Sequence, residues 1–307
     1  MSLVRPRLAA PLVAAALLAS GCGMKPEPVG SIPSFPQTAR DGAGRQVVIT
    51  ADPQRIASLD PALTEAAFAV GAGSSLIGAS GRETSPSAAR RLPVVVDGSG
   101  RPLVRKLRRL HPDLILAPAS LSADAAAQLS HELGAAVYVS GPPTVQGIEH
   151  DIDSVAVLTG YGARGGQLVG EMQARIGAIR RAVSGTPPVR VFVDNGFFYT
   201  IDPSSPTAQL IQMAGGVDVA TDAQPGRPYP LAKLRAAAPQ AYLAVAGRST
   251  TLSGLRTSKA TRNLPAVRSG RFLLIDERDL TDPGLRVVTT LRQIAHLLHP
   301  TAHLPGS

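Results

Sequence analysis

Two rhythms alternate along this chain. Apolar runs of three to five residues recur, and between them apolar side chains return at spacings of three and four. The short runs read as strands buried on both faces, and the longer spacing as one apolar stripe of a helix. In the first half the runs are 46–50 (QVVIT), 56–59 (IASL), 76–78 (LIG), 94–96 (VVV), 114–116 (LIL) and 137–139 (VYV). Helices are expected at 61–70, where Leu63, Ala66, Ala67 and Val70 share a face, at 103–110, where Leu103, Leu107 and Leu110 do, and at 123–133. Gly71 and Gly134 stand where the first and third end, and His111-Pro112-Asp113 stops the second. Strands alternating with helices predict a mostly parallel sheet covered on both faces.

The middle of the chain breaks this alternation. Residues 145–159 have a helical period, with Ile148, Ile152, Val155 and Leu158 aligned. Gly160, Gly162, Gly165 and Gly166 interrupt it, and then Leu168, Met172, Ile176, Ile179 and Val183 form a stripe about 20 residues, or roughly 30 Å, long. The alternation resumes with strands at 189–193, 241–245 and 272–275 and helices at 207–214, 231–238 and 285–298. An internal echo supports two halves: LRRLHPDLIL at 107–116 and LRAAAPQAYL at 234–243 are each a helix end, a proline stop and a strand. The expected fold is α/β, with two Rossmann-like lobes built on mostly parallel sheets and joined by a single long helix. The expected bounds are 46–143 for the N-terminal lobe, 144–185 for the bridging helix and 186–302 for the C-terminal lobe.

Residues 1–45 carry no such pattern. Arg5 and Arg7 precede an apolar run at 8–19, and Ser20, Gly21 and Cys22 follow it. This is the pattern of a lipoprotein signal at 1–21, with Cys22 acylated and anchoring the mature chain to the cell membrane. A plain secretory signal with an incidental cysteine is the other reading, because Ala19 stands where such signals more often carry Leu. The run is too short to span a bilayer, so in either case the mature chain works outside the cytoplasm. Residues 22–45, rich in Pro, Gly and Ser, are expected to be a flexible tether. Cys22 is the only cysteine, so the fold has no disulfide and no cysteine metal site.

Charge adds a constraint on partners. The net charge is +9, and only Lys25, Lys106, Lys233 and Lys259 are lysines. A basic chain suits nucleic acid, an anionic polymer, anionic lipid or an anionic ligand, and export removes nucleic acid from that set. The densest cluster, RPLVRKLRR at 101–109, reads most simply as a solvated helix face. Trp is absent, and six Phe and five Tyr are all that a site could use for stacking.

The patterns for catalysis fail. Gly71, Gly73 and Gly78 follow a helix and precede a strand, the reverse of a dinucleotide loop. His296, His299 and His303 have near-metal spacing, but Pro300 breaks the helix between the last two. There is no Gly-x-Ser-x-Gly elbow. Asp60 and Glu65 could be called a carboxylate pair, yet Glu65 suits the first turns of a helix. No catalytic residue, metal set or cofactor is assigned, and the chain is not expected to be an enzyme.

Several segments in order resemble a known family. DGAGRQVVITADPQRIASLDPALTEAAFAVGAG at 41–73, LHPDLIL at 110–116 and MAGGVDVA at 213–220 resemble class III solute-binding proteins of ABC importers, with Asp218 where that family has Asn. The resemblance runs from about residue 41 to 300. It implies two α/β lobes bridged by one helix, and capture of an iron–siderophore, haem or cobalamin. Ligands of open α/β sheets lie beyond the carboxyl ends of the strands. In the loops there, the candidate ligand-binding residues are Asp60, Arg82, Phe198, Tyr199, Arg227, Tyr229 and Arg248. Arginine forks suit anionic oxygens, and aromatic rings suit flat apolar faces. The plainer alternative is ordinary loop arginines and half-buried rings.

These observations lead to one expected role and one alternative. The expectation is a lipid-anchored, monomeric binding protein that captures an iron chelate, as ferric siderophore or haem in preference to a corrinoid, for ABC-type import. The alternative is an envelope interaction or structural protein that reuses the fold without transport. The resemblance also implies a glutamate on each lobe that docks on the permease. Arg105 and Ala232 occupy those places here, so docking is expected to be atypical, unless Glu132 or Glu149 substitutes.

Overall fold

The computed structural model describes residues 34–281 and 283–306. The expected signal, Cys22 and the first part of the expected tether lie outside the described residues. The described chain opens with a hairpin, β1 (Gln37–Arg40) paired antiparallel with β2 (Gln46–Ile49). Residues 37–45 were expected to be tether and are part of the fold. The strand was hidden because QTAR is polar and its order comes from pairing. Asp41, 3% exposed, closes the turn through an ion pair of 2.6 Å to Arg45. Gly42 then sits so close to β6 (Ala136–Val139) that a Cβ would lie 2.0 Å from the Ser140 carbonyl oxygen.

The N-terminal lobe follows as β3 (Ile56–Ser58), α1 (Pro61–Val70), β4 (Leu76–Gly78), α2 (Val104–Leu110), β5 (Leu114–Ala117), α3 (Ala123–Leu133) and β6. All its strands are parallel, in the order β4-β3-β5-β6. Residues 94–96 form only isolated bridges, from Val94 to Ala79 and from Val96 to Pro102. Pro93 and Pro102 flank that run, and proline withholds the donor a ladder needs.

The expected bridge at 144–185 is two helices. α4 (Val145–Leu158) ends where the Thr159 hydroxyl donates back to the Val155 carbonyl and Gly160 takes φ 79°. α5 (Gly162–Val183) is the 22-residue helix that leads into the second lobe. α4 packs on α1 and β1, whereas α5 packs on α4 and on α11 (Val287–Leu298). Gly165 permits the α4–α5 contact, since a Cβ there would lie 2.4 Å from the Ala156 methyl. Met172, Ile176, Ile179 and Val183 are the buried stripe, and they join a core cluster containing Ile56 and Leu116 of one lobe and Val191 and Leu291 of the other.

The C-terminal lobe contains β7 (Val189–Asp194), α6 (Pro206–Met213), β8 (Gly216–Asp218), α7 (Leu231–Ala237), β9 (Ala241–Val245), α8 (Leu252–Thr257), α9 (Pro265–Ser269), β10 (Phe272–Ile275), α10 (Glu277–Thr281) and α11. Its strands are parallel in the order β10-β9-β7-β8. Both lobes therefore run second-first-third-fourth in chain order. The repeat extends to detail. α2 and α7 each end on a non-glycine residue in the left-handed region, His111 at φ 45° and Ala238 at φ 44°. The Arg55 guanidinium donates to the carbonyls of Leu110 and His111, and Arg190 does the same to Ala237 and Ala238.

Two neighbouring glycines should respond oppositely. Gly165→Leu must push α4 from α5 and is expected to cost about 1–3 kcal/mol. Gly166 has open space around it, so Gly166→Ala is expected to stabilise by about 0.5–1 kcal/mol. Urea midpoints of the two variants check both signs.

Candidate functional site

In each lobe the chain leaves the first strand towards one neighbour and returns on the other side. That makes a switch point, with a crevice beyond the carboxyl ends of β3 and β5 and another beyond β7 and β9. The two crevices face each other, because the loops after β4 and β10 touch. Arg278 donates to the Arg82 carbonyl at 3.2 Å, and Arg286 donates to the Thr84 hydroxyl at 3.4 Å and lies 3.7 Å from Glu65 on α1. The Arg286 guanidinium is held by Asp279 at 2.7 Å. Burial raises the Glu65 carboxyl above its usual range, and Arg286 opposes that.

The N-terminal wall contains a recess of about 260 Å³ lined by Asp60, Leu63, Ser120, Ser140, Asp151 and Leu285 among others. Asp60 ends the loop after β3 and caps α1, accepting from the Leu63 amide at 2.9 Å. Asp151 projects from α4, and its Oδ1 accepts from the Tyr138 hydroxyl at 2.7 Å and the Gly141 amide at 2.8 Å. Burial pushes the Asp151 carboxyl up to about 6; the Gly141 and Tyr138 hydrogen bonds oppose the shift and the charge of Asp60 adds to it. Burial and the nearby Asp151 charge raise the Tyr138 phenol beyond its ordinary range.

The C-terminal wall is built around Asp194, fully buried at the end of β7. Its Oδ1 accepts from the amides of Gly196 and Phe198 at 2.8 and 3.0 Å, and its Oδ2 from the hydroxyls of Tyr242 and Thr250 at 2.7 Å each. One carboxylate thus ties the loop after β7 to the loop after β9. Under that restraint Gly196, Phe197 and Phe198 take φ values of 97°, 52° and 63°. Bulky residues rarely enter that region, and such strain concentrates at functional sites. Its result here is Phe197, 71% exposed at the end of the strand.

The seven residues expected from sequence separate into groups. Asp60 lies in the recess with Asp151. Arg248 packs its stem against Gly196, beside the Phe197 loop, and pairs with Glu277 at 2.7 Å. Tyr199 is 39% exposed in the same loop, whereas Phe198 is half-buried and packs inward. Arg82 is exposed on the flank, and Arg227 is exposed in the loop before Tyr229. Tyr229 requires correction: it is 5% exposed, its ring lies 5.7 Å from Phe192, and its hydroxyl donates to Asp222 at 2.9 Å. It supports the loop from inside the core and presents no surface to a ligand.

Sequence reasoning missed Phe197, Asp151 and Asp194. Phe197 precedes the candidate Phe198 in the DNGFFY segment at 194–199, and nothing in the letters says which ring turns outward. Asp151 sits one residue from Ile152 on the apolar side of α4, and a carboxylate on an apolar stripe was the available signal. Among the described residues, no group of three or more His, Cys, Asp and Glu could hold a metal ion.

The raised Asp151 carboxyl fixes the sign of a pH effect. Below about pH 4 the group is neutral folded or unfolded and costs nothing. Between about pH 4 and the folded value of about 6, the unfolded chain loses the proton first, so stability falls as pH rises. Asp151→Asn is expected to be more stable than wild type above about pH 6, by an amount on the order of 3 kcal/mol that vanishes towards pH 4. Urea midpoints across that range give the difference.

Comparison with known proteins gives three kinds of match. Residues 56–278 match the family described as periplasmic binding protein. A cobalamin-binding protein of Halobacterium salinarum is 26% identical over 279 residues, covering 87% of this chain and 75% of that protein. An uncharacterized ABC transporter substrate-binding lipoprotein of Bacillus subtilis, YvrC, is 25% identical over 309 residues, covering 95% of this chain and 96% of its own. Among solved structures, the apo periplasmic haem-binding protein RhuT of Roseiflexus superposes with a TM-score of 0.66 at 25% identity, covering 80% of this chain and 98% of that one.

Proposed function

We propose, from the premise that this chain belongs to the periplasmic binding protein family, that it captures a corrinoid in the cleft between its lobes for ABC-type import. It is a solute-binding protein of the type that serves import of cobalamin, haem or siderophores, and that family consists of binding proteins, not enzymes. The sequence favours an iron chelate over a corrinoid, and the observation that reverses that preference here is the charge layout of the cleft. Arg248, Arg278 and Arg286, which would attract an anionic chelate, already hold Glu277, Asp276 and Asp279 at 2.7, 3.2 and 2.7 Å. The opposite wall carries two carboxylates. A large, amide-decorated ring meets such a surface without burying an unpaired charge, and Phe197 offers its apolar face. The name of the Halobacterium relative points the same way.

Haem is the second reading. Arg82 and Arg227 are exposed and form no ion pair among the described residues, so they remain able to meet propionates. A ferric siderophore would use the same two cations. Export and an acylated Cys22 complete the proposal, in keeping with the lipoprotein name of the Bacillus relative. The protein acts as a monomer that docks on a permease. Arg105 and Ala232 are exposed at equivalent second positions of α2 and α7. A partner that docks there presents an acidic patch to the first lobe.

Titration of the purified chain with cyanocobalamin, haemin and a ferric siderophore, followed by calorimetry, tests the ligand. Cyanocobalamin is expected to bind most tightly; exclusive binding of haemin or the siderophore sinks the corrinoid reading. Phe197→Ala is expected to weaken the bound ring by roughly three- to tenfold. Because the lobes share one core through α5, loading is expected to leave the radius of gyration within roughly 1 Å of the apo value in solution scattering. A contraction of several ångströms would contradict a rigid bridge.

A further inference from the structure

We infer that the recess between α1 and α4 is a discriminating subsite that takes a hydrogen-bond-donating arm of the ligand, a primary amide or an ammonium group, and excludes a carboxylate. The inference rests on the reading of the cleft as a solute site and narrows what that site accepts. At about 260 Å³ the recess is smaller than a pocket for a whole drug-sized molecule, and it is open to the cleft, so it fits an arm and not a ring. Leu63, Ile148 and Ile152 supply apolar contact for the methylenes of such an arm.

The polar lining decides the chemistry. Asp60 and Asp151 bring two carboxylates into the recess, and among the described residues that line it there is no Lys, Arg or His. The two donors that Asp151 receives from the protein both go to Oδ1. Oδ2 accepts no hydrogen bond from a described residue, so a ligand N–H has an acceptor waiting. A ligand carboxylate would instead meet like charge in a site partly removed from water, where His150 beside Asp151 opposes the repulsion only in part. The serines at 120 and 140 can each donate or accept and do not reverse that preference. Burial of Asp151 is a standing cost to the empty protein, and a donor from the ligand relieves it.

Cobinamide and cobyrinic acid test this directly, because they share the corrin ring and differ in amide against carboxylate arms. Affinities are measured by calorimetry at about pH 8, where Asp151 is ionised. Wild type is expected to prefer cobinamide by about ten- to hundredfold, the range for a hydrogen bond to a charged group. Asp151→Asn and Asp60→Asn, each with an unfolding midpoint confirming a folded protein, are expected to bring that ratio at least about threefold closer to unity. Should one variant fail to fold, the other and the wild-type ratio decide. Equal affinity of wild type for the two corrinoids, or an unchanged ratio in the folded variants, overturns the subsite alone. Binding of neither corrinoid overturns the reading of the cleft and the subsite with it.

Discussion

The structure depends on an apolar core that does not stop at the lobe boundary. Met172, Ile176, Ile179 and Val183 of α5 belong to the same cluster as the sheet residues on either side. Bending at the bridge would pull those contacts apart, at the cost of exposing buried side chains. That shared packing opposes movement of one crevice relative to the other. α4 adds a second layer beneath it, and the missing side chain at Gly165 is what lets the two helices approach. The flank contact of Arg286 with Glu65 and Thr84 lies at the other end of the same frame.

Against that frame, the walls of the cleft differ in how their charges are held. On one wall Asp60 and Asp151 line a single recess. On the other, a buried carboxylate is fully used up in positioning two loops. The exposed arginine pairs of the rim are each worth little as stabilisation. Their larger effect is to neutralise cations that would otherwise make the cleft attractive to any anion. Arg82 and Arg227 stay outside those pairs, so the paired arginines narrow the positive surface without removing it.

Much of the fold was legible because its strands are buried on both faces. Runs such as Leu114 to Leu116 and Ala241 to Val245 have no polar alternation to confuse the period, and the structure places strands on both. The helix at 61–70 was legible from its stripe and its closing Gly71, while the Asp60 cap emerged only from the structure. The hairpin strand at 37–40 was not, since its order derives from pairing and from the Asp41–Arg45 contact. Short α8, α9 and α10 escaped because five or six residues cannot show a helical period. The site was legible only as a list of loops. Residue type suggested Tyr229 as a ligand contact, but the ring turned into the core, and the one that turned outward, Phe197, is selected by backbone torsion that letters do not encode.

That torsion has an evolutionary consequence. Positions 197 and 198 hold left-handed backbone without glycine, a conformation costing about 1–2 kcal/mol for each ordinary residue. Valine, isoleucine and threonine are all but barred there, and glycine or asparagine would ease the backbone but discard the ring. A lineage of this protein drifting towards a new cargo therefore has little latitude at its most prominent aromatic. Its adaptable letters are the exposed ones that carry no structural duty, Arg82, Tyr199 and Arg227, and sister proteins would be expected to diverge at those three while the strained corner stays as it is.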